Sequence, residues 1–162
     1  MTPAWIGLGS NLQDPPAQLR RAFGRLGELP ATKLLARSTL YRSAPLGPAG
    51  QGDYCNAVAA IETGLAPAEL LDALIGIERA TGRERGGPRW GPRVLDLDLL
   101  VYGDQIIEQA GLRVPHPEIG NRNFVLVPLA ELAPGLRIPG QDRPADALAA
   151  ALGRDGLTPW ID

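Results

Sequence analysis

The chain has 162 residues and a formal net charge of −2, and 44% of its residues are hydrophobic. This length supports one domain with a substantial core, and the slightly acidic charge excludes a protein that binds nucleic acid over its whole surface. Cys55 is the single cysteine, so no disulfide can form within the chain. The N-terminus lacks a secretory pattern, and no apolar run reaches the roughly 18 residues of a membrane span. We therefore expect one cytoplasmic domain over residues 1–162.

The first third of the chain predicts a strand, a helix and a second strand. Residues 4–8 (AWIGL) are apolar and read as a strand that ends in a turn at 9–11 (GSN). The DPP at 14–16 starts a helix, because proline is favoured in the first helical turn, and its apolar residues recur at helical spacing until Gly27. Residues 32–42 mix apolar and β-branched side chains in a way typical of a strand.

The middle of the chain repeats this alternation after a Pro/Gly-rich loop at 43–52. Residues 54–63 predict a strand, Pro67 starts a helix with one apolar stripe, and residues 94–102 predict another strand. The resulting order, β-α-β-β-α-β, indicates an α+β fold, a ferredoxin-like sandwich with long loops that could bind a ligand.

The last third of the chain adds elements beyond this sandwich. We predict a hairpin turn at Gly103-Asp104, a loop with Pro-His-Pro at 115–117, a helix around 124–132 and an Ala-rich helix near 145–152. The region after about residue 136 carries no recognisable motif, and we assign it only to packing.

The segment RERGGPRWGPRVLDLDLL, residues 83–100, combines charges of both signs in one short stretch. Arginine binds phosphate with a planar, two-pronged guanidinium. Alternate side chains of a strand share a face, so Asp96 and Asp98 point one way while Leu95, Leu97 and Leu99 point the other. Such a carboxylate pair can hold Mg²⁺ against the phosphates of a ligand, although a solvent-exposed strand face would have the same pattern.

Other candidate residues come from distant segments. Tyr54 and Phe124 could form the two sides of a slot for a flat ring, with Asn56 as a hydrogen-bonding group on the face of Tyr54. Each of these residues could equally belong to the core, as could Trp90. GLGSN at 7–11 is not a phosphate-binding loop of the known type, because no Gly-Lys-Ser/Thr follows it.

Five motifs resemble, in order and spacing, the hydroxymethyldihydropterin pyrophosphokinases of folate biosynthesis. They are GLGSNL at 7–12, YRSAPLGP at 41–48, QGDYCNAV at 51–58, RWGPRVLDLDLL at 89–100 and VPHPEIGNRNFVLVPLAELAP at 114–134. The resemblance implies transfer of pyrophosphate from ATP to the hydroxymethyl group of 6-hydroxymethyl-7,8-dihydropterin, with release of AMP. It also implies a monomer without nucleic-acid or membrane partners.

The resemblance further implies a role for each matching residue. Asp96 and Asp98 match ligands of two Mg²⁺ ions and, with Arg83 and Arg93, are the catalytic residues that it indicates. Pterin contacts are implied for Ser43, Ala44, Pro45, Leu46, Tyr54, Asn56 and Phe124. ATP contacts are implied for Glu78, Arg83, Arg85, Trp90, Arg93, His116 and Arg122, and residues 82–91 read as a lid over the triphosphate.

Two positions depart from the family pattern. Some relatives carry a further basic residue directly after the position of Arg85, where this chain has Gly86-Gly87. Pro117 stands where the family can carry an aromatic residue. Neither departure touches the predicted metal or pterin residues.

Two other classes of function remain possible on the sequence. A ferredoxin-like module could bind single-stranded nucleic acid, but this needs exposed aromatic residues and a basic sheet face. A two-metal phosphodiesterase would keep the aspartates and use an open basic groove.

Overall fold

Strands and helices alternate along the chain much as their apolar patterns predict. The computed structural model describes residues 1–44, 50–81 and 94–161. Its strands are β1 (Thr2–Ser10), β2 (Thr32–Arg37), β3 (Tyr41–Ser43), β4 (Tyr54–Thr63), β5 (Asp96–Tyr102), β6 (Ile107–Gln109), β7 (Leu112–Val114) and β8 (Thr158–Pro159). Its helices are α1 (Pro15–Gly27), α2 (Pro67–Ala80), α3 (Asn123–Leu132) and α4 (Ala145–Leu152). None of the helices within the described ranges has the length and apolar character that a membrane crossing requires.

Six of the strands form one antiparallel sheet. Its order is β5-β1-β4-β3-β8, and β2 also pairs with β4. The long strands β4 and β5 flank β1 on its two sides. With α1 after β1 and α2 after β4, this arrangement confirms the predicted α+β fold of the ferredoxin-like class, in which β2 and β3 together take the place of one strand and both pair with β4.

Alternation along the strands gives the sheet two apolar faces. Ile6 and Leu8 of β1 pack in one cluster with residues of α1 and α2. Val58 of β4 and Leu100 of β5 pack in a second cluster with residues of α3 and α4. The C-terminal helices therefore cover the face opposite α1 and α2, and the functional site lies on their side of the sheet.

The strand predicted over residues 32–42 is wrong as a single element. β2 ends at Arg37, β3 begins at Tyr41, and the pairing of β2 with β4 shifts between Leu34 and Ala36. At the break, the Ser38 amide donates to the Val58 carbonyl oxygen (2.9 Å) and the Val58 amide donates to Ser38 Oγ (2.9 Å). Because the Ser38 side chain replaces one backbone acceptor, the chain leaves the regular hydrogen-bonding pattern with β4 at Ser38. It resumes this pairing three residues later, at Tyr41.

The prediction of a hairpin at Gly103-Asp104 is also wrong, because β6, the strand after the turn, pairs with β7 and not with β5. A turn is present, with Gly103 at a φ of 54° and the Gln105 amide donating to the Tyr102 carbonyl oxygen (3.1 Å). The Gly103 amide donates to Pro3 O (2.8 Å), which directs the chain across the end of β1. β6 then pairs with β7 in a separate two-stranded sheet.

The C-terminal segment packs as predicted and adds an edge strand that the sequence did not predict. Leu148 and Leu157 are buried in the second cluster. β8 pairs with β3, and the Trp160 amide donates to the Leu40 carbonyl oxygen (2.8 Å). The Arg42 guanidinium lies 3.7 Å from the centroid of the Trp160 ring. These contacts brace β3, the strand that leads into the site.

A carboxylate on α3 ties this helix to the β2–β3 connection. Glu131 accepts hydrogen bonds from the Thr39 amide (2.8 Å), Thr39 Oγ1 (3.1 Å) and the Tyr41 hydroxyl (2.7 Å). The Tyr41 side chain is 5% exposed. Burial, and after it the hydrogen bond to Glu131, raises the pKa of Tyr41 above its ordinary value of 10.0.

We expect Tyr41→Phe to lower the free energy of unfolding at pH 7 by about 1 kcal/mol, because Glu131 loses a donor. A raised folded-state pKa contributes stability below the unfolded-state pKa, and this contribution disappears as the pH rises through the folded-state value. The difference between the parent and the variant should therefore shrink above pH 10. Urea unfolding between pH 7 and pH 11.5 measures it, and a difference that grows with pH would contradict the assignment.

Candidate active site

A cavity of about 110 Å³ lies on the sheet face covered by α3. It is formed by the ends of β1, β3, β4 and β5 and by the start of α3. Its lining residues are Gly7, Leu8, Gly9, Ser43, Ala44, Tyr54, Asn56, Ala57, Asp96, Asp98, Arg122, Phe124 and Val125. The cavity thus brings together the predicted carboxylate pair and the predicted pterin residues that the structure describes.

The two carboxylates lie on the cavity face of β5, as the alternation predicts. Asp96 and Asp98 are half-buried, whereas Leu97 and Leu99 are buried in the cluster on the opposite face. Carboxylate oxygens are the hard donors that Mg²⁺ prefers. Within residues 1–44, 50–81 and 94–161, no group of three or more His, Cys, Asp or Glu could hold a metal ion. The two carboxylates of the pair offer oxygen donors of the kind that suit Mg²⁺.

Two glycines of β1 form the floor between the carboxylates and the polar end of β4. Gly9 is paired with Asp96 on one side and with Asn56 on the other, and Gly7 is paired with Asp98. A Cβ at Gly9 would lie 3.3 Å from Asn56 Nδ2 and 3.7 Å from Tyr54 Cδ1. The missing side chains leave room for a ligand against the backbone of the central strand.

The sequence analysis missed this role of Gly7 and Gly9. It placed Gly9 in a turn, whereas β1 continues through Ser10. The available signal was the alternation itself, because Gly7 and Gly9 share a face opposite the apolar Ile6 and Leu8.

Two elements contribute aromatic side chains to the lining of the cavity. Tyr54 is the first residue of β4, and Phe124 lies in the first turn of α3. Both are half-buried and both line the cavity. Arg122, directly before α3, has its Cζ 5.7 Å from the centroid of the Phe124 ring. A flat ring has apolar faces to contact here, with a guanidinium close to one wall.

The polar end of the cavity is built by Asn56 and Ser43. Both side chains are buried, and the Ser43 hydroxyl donates to Asn56 Oδ1 at 2.5 Å. With Oδ1 engaged, the Asn56 amide directs Nδ2 toward Gly9 and the cavity floor. Ser43 thereby orients the Asn56 carboxamide at the cavity.

We expect Ser43→Ala to cost about 1–3 kcal/mol of unfolding free energy, because a buried carboxamide oxygen loses its donor. The freed amide can also rotate, so affinity for the ring ligand should fall. Ser43→Thr keeps a hydroxyl and is the matched control. Urea unfolding and ligand titration measure the two effects, and equal values for the parent and Ser43→Ala would contradict this role.

Asn11 connects the end of β1 to the chain just before β4. Its Nδ2 donates to Gln51 Oε1 (3.0 Å) and to the Gly52 carbonyl oxygen (3.2 Å). This link positions the segment that leads to Tyr54, and the sequence analysis had not assigned Asn11 any role.

Two predicted ATP contacts lie outside the lining of the cavity. The His116 amide donates to the Leu100 carbonyl oxygen (2.9 Å), and His116 Nδ1 accepts from the Glu118 amide (3.1 Å). The neutral imidazole therefore carries its proton on Nε2, which can donate to an anion.

The second of these residues, Glu78, has a buried side chain, and its Oε2 accepts from the Leu97 amide (2.8 Å).

Six predicted site residues lie outside the described residues. They are Pro45 and Leu46 of the Pro/Gly loop and Arg83, Arg85, Trp90 and Arg93 of the arginine-rich segment. The predicted lid at 82–91 lies outside them as well, so the roles of these residues stay predictions.

Comparisons with known proteins identify the family of the chain. Residues 5–134 match the model of the family described as 7,8-dihydro-6-hydroxymethylpterin-pyrophosphokinase (HPPK). A protein of Pseudomonas aeruginosa named 2-amino-4-hydroxy-6-hydroxymethyldihydropteridine pyrophosphokinase is 50% identical over 146 residues, covering 90% of each chain. A protein of the same name from Haemophilus influenzae is 50% identical over 139 residues, covering 86% of each chain.

Solved structures with the same fold include Plasmodium falciparum HPPK-DHPS. The wild type with pteroate matches with a TM-score of 0.74 at 13% identity, covering 93% of this chain and 42% of that one. The wild type with SDX-DHP matches with a TM-score of 0.70 at 13% identity, covering 93% of this chain and 43% of that one. This chain therefore spans less than half the length of those structures, and at this identity the likeness concerns the fold alone. Together with the family match and the 50% identical relatives, it shows that the chain belongs to the 7,8-dihydro-6-hydroxymethylpterin-pyrophosphokinase family.

Proposed function

We propose that the chain transfers the pyrophosphoryl group of ATP to the hydroxymethyl group of 6-hydroxymethyl-7,8-dihydropterin, a step of folate biosynthesis. The observation that supports the proposal is the cavity, which is lined by Tyr54 and Phe124 and also by Asp96 and Asp98. The names of the 50% identical relatives support the same activity. We also propose that the chain acts as one monomeric domain in the cytoplasm, without nucleic-acid or membrane partners.

The pterin ring would lie between Tyr54 and Phe124, because stacking on aromatic faces suits a flat heterocycle. Asn56, held by Ser43, would hydrogen-bond the edge of the ring, and Gly9 would let the ring approach β1. Bound in this way, the pterin would direct its hydroxymethyl group toward Asp96 and Asp98 on the neighbouring strand.

ATP would present its phosphates at the carboxylate edge of the cavity. Asp96 and Asp98 would hold two Mg²⁺ ions, since their oxygens fit this cation. When bound, Mg²⁺ neutralises charge on the phosphate oxygens. Arg122 and the Nε2–H of His116 would add positive charge and a donor, as would the predicted Arg83 and Arg93. Gly7 and Gly9 of β1 have no side chains, so they would leave room for these groups to lie close to the reacting phosphorus.

In the transfer, the hydroxymethyl oxygen forms a bond to the β-phosphorus of ATP. The bond between that phosphorus and the oxygen bridging to the α-phosphate breaks, and AMP leaves with the bridging oxygen. The hydroxyl proton is released to solvent. The cavity residues contribute alignment and charge stabilisation, which supply most of the catalysis in phosphoryl transfer.

The test is product analysis with the purified chain, ATP, Mg²⁺ and the pterin alcohol. We expect AMP and the pterin diphosphate in equal amounts, and no AMP without the pterin. Formation of ADP, or release of AMP that does not depend on the pterin, would contradict the proposal. Cleavage of a phosphodiester substrate by the same preparation would favour a two-metal phosphodiesterase, for which the comparisons give no support.

A further inference from the structure

One hydrogen bond joins α2 to the strand segment between the two carboxylates. Glu78 lies near the end of α2, is 4% exposed, and accepts the Leu97 amide proton at its Oε2 (2.8 Å). Leu97 stands between Asp96 and Asp98. The Glu78 carboxylate therefore contacts the backbone of the carboxylate pair without lining the cavity.

The position of β5 explains why a side chain is needed here. β5 ends the strand order of the sheet, with β1 as its neighbour. Amide directions alternate along a strand, so the Leu97 amide points away from β1 toward α2 while its neighbours face β1. Since a buried amide needs a partner, the Glu78 carboxylate completes the outer edge of β5, and an ionised acceptor makes this bond a strong one.

The bond holds the strand at the point that sets the geometry of the site. Pairing with Gly9 and Gly7 positions Asp96 and Asp98 from the inner edge, and Glu78 holds the residue between them from the outer edge. The Leu97 side chain is 5% exposed in the cluster with α1 and α2. A carboxylate pair that binds cations must keep its spacing within a fraction of an ångström.

We propose that Glu78 is a positioning residue that fixes the spacing of Asp96 and Asp98 through the Leu97 amide. This role differs from the direct ATP contact that the family resemblance implies for Glu78. It rests on the proposed function for its catalytic consequence, whereas its structural and cation-binding consequences can be measured in the absence of turnover.

The conservative variants Glu78→Asp and Glu78→Gln separate geometry from charge. Aspartate keeps the charge but is one methylene shorter, so it draws the acceptor away from the Leu97 amide. Glutamine keeps the length and a carbonyl acceptor but loses the charge. Glu69→Ala is the matched control, because Glu69 of the same helix accepts the Ala66 amide (2.9 Å) at the end remote from Leu97.

Three readouts test the proposal. The first is hydrogen exchange of the Leu97 amide in the ligand-free chain. The second is binding of Mn²⁺, as a probe for Mg²⁺, in the presence of a non-hydrolysable ATP analogue. The third is the separate measurement of kcat and of the KM for the pterin.

For Glu78→Asp we expect faster exchange of the Leu97 amide. Cation affinity should be lower by about 10- to 100-fold, as for other residues that orient metal ligands. The kcat should also be lower, with little change in the KM for the pterin. Glu78→Gln keeps an acceptor at the same reach in a weaker bond, so its losses should be clearly smaller than those of Glu78→Asp, and Glu69→Ala should stay close to the parent. Glu78→Gln impaired as much as Glu78→Asp would overturn the proposal, because the charge would then matter and not the position. Parental cation affinity in Glu78→Asp, or the same losses in Glu69→Ala, would overturn it as well. If the parent made no pterin diphosphate, the proposed function would fail while the first two readouts still decided the role of Glu78.

Discussion

Asp96→Ala and Asp98→Ala should each lower kcat by about a thousandfold or more, because cation stabilisation of the transferred group accounts for several kcal/mol of the barrier. The fold should persist, since both side chains are half-buried at the cavity and neither belongs to an apolar cluster. Steady-state kinetics at saturating Mg²⁺ measures the loss, and urea unfolding checks the fold.

Asp104→Ala is the control for this pair. Asp104 is exposed in the turn just after β5, so its removal changes the net charge equally without touching the cavity. We expect parental kcat from it. A variant of Asp96 or Asp98 with a rate near the parental value at saturating Mg²⁺ would refute the role of the pair in holding the cations.

Gly9→Val should raise the KM for the pterin by about a hundredfold, because overpacking a filled site costs about 1–3 kcal/mol. The new side chain would occupy the floor between Asn56 and Tyr54. Valine suits an extended strand better than glycine does, but its Cβ would lie 3.3 Å from Asn56 Nδ2, so we expect no gain in stability. The loss of pterin affinity, measured by isothermal titration, should be much larger than any loss of stability measured by urea unfolding.

Gly24→Ala provides the comparison for Gly9→Val. A Cβ at Gly24 of α1 would meet no atom within 4 Å, and alanine favours the helix by about 1 kcal/mol. This variant should gain stability and keep pterin affinity. Parental affinity in Gly9→Val would show that the ring does not lie over the bare part of β1.

Local signals were sufficient to predict most elements of the fold. The prolines in the first turns of α1 and α2 marked the helix starts, and the apolar run of β4 marked Tyr54–Thr63 at both ends. The break between β2 and β3 could not be predicted, because it depends on Ser38 meeting Val58 twenty positions away. β8 has two residues and exists only because the free edge of β3 is available to it.

Part of the site could be predicted, from strand alternation and from the resemblance to family motifs. Alternation placed Asp96 and Asp98 together, and the motifs joined Tyr54, Asn56 and Phe124 from separate elements. The bond from Glu78 to the Leu97 amide left no sequence signal, since it joins a helix end to a strand edge. The role of Gly9 in the cavity floor was missed because a glycine in a sequence is usually interpreted as a turn residue. In a strand, its lack of a side chain can instead leave space for a ligand.

The alternation over residues 96–99 of β5 also protects the protein against misfolding. If β5 slipped by one residue along β1, Asp96 and Asp98 would enter the apolar cluster under α1 and α2, and Leu97 and Leu99 would enter the cavity. Burying two carboxylates without partners is far more costly than any pairing lost in the slip. The residues proposed to hold the cations therefore also disfavour the wrong alignment of the strand, which keeps both carboxylates on the cavity side.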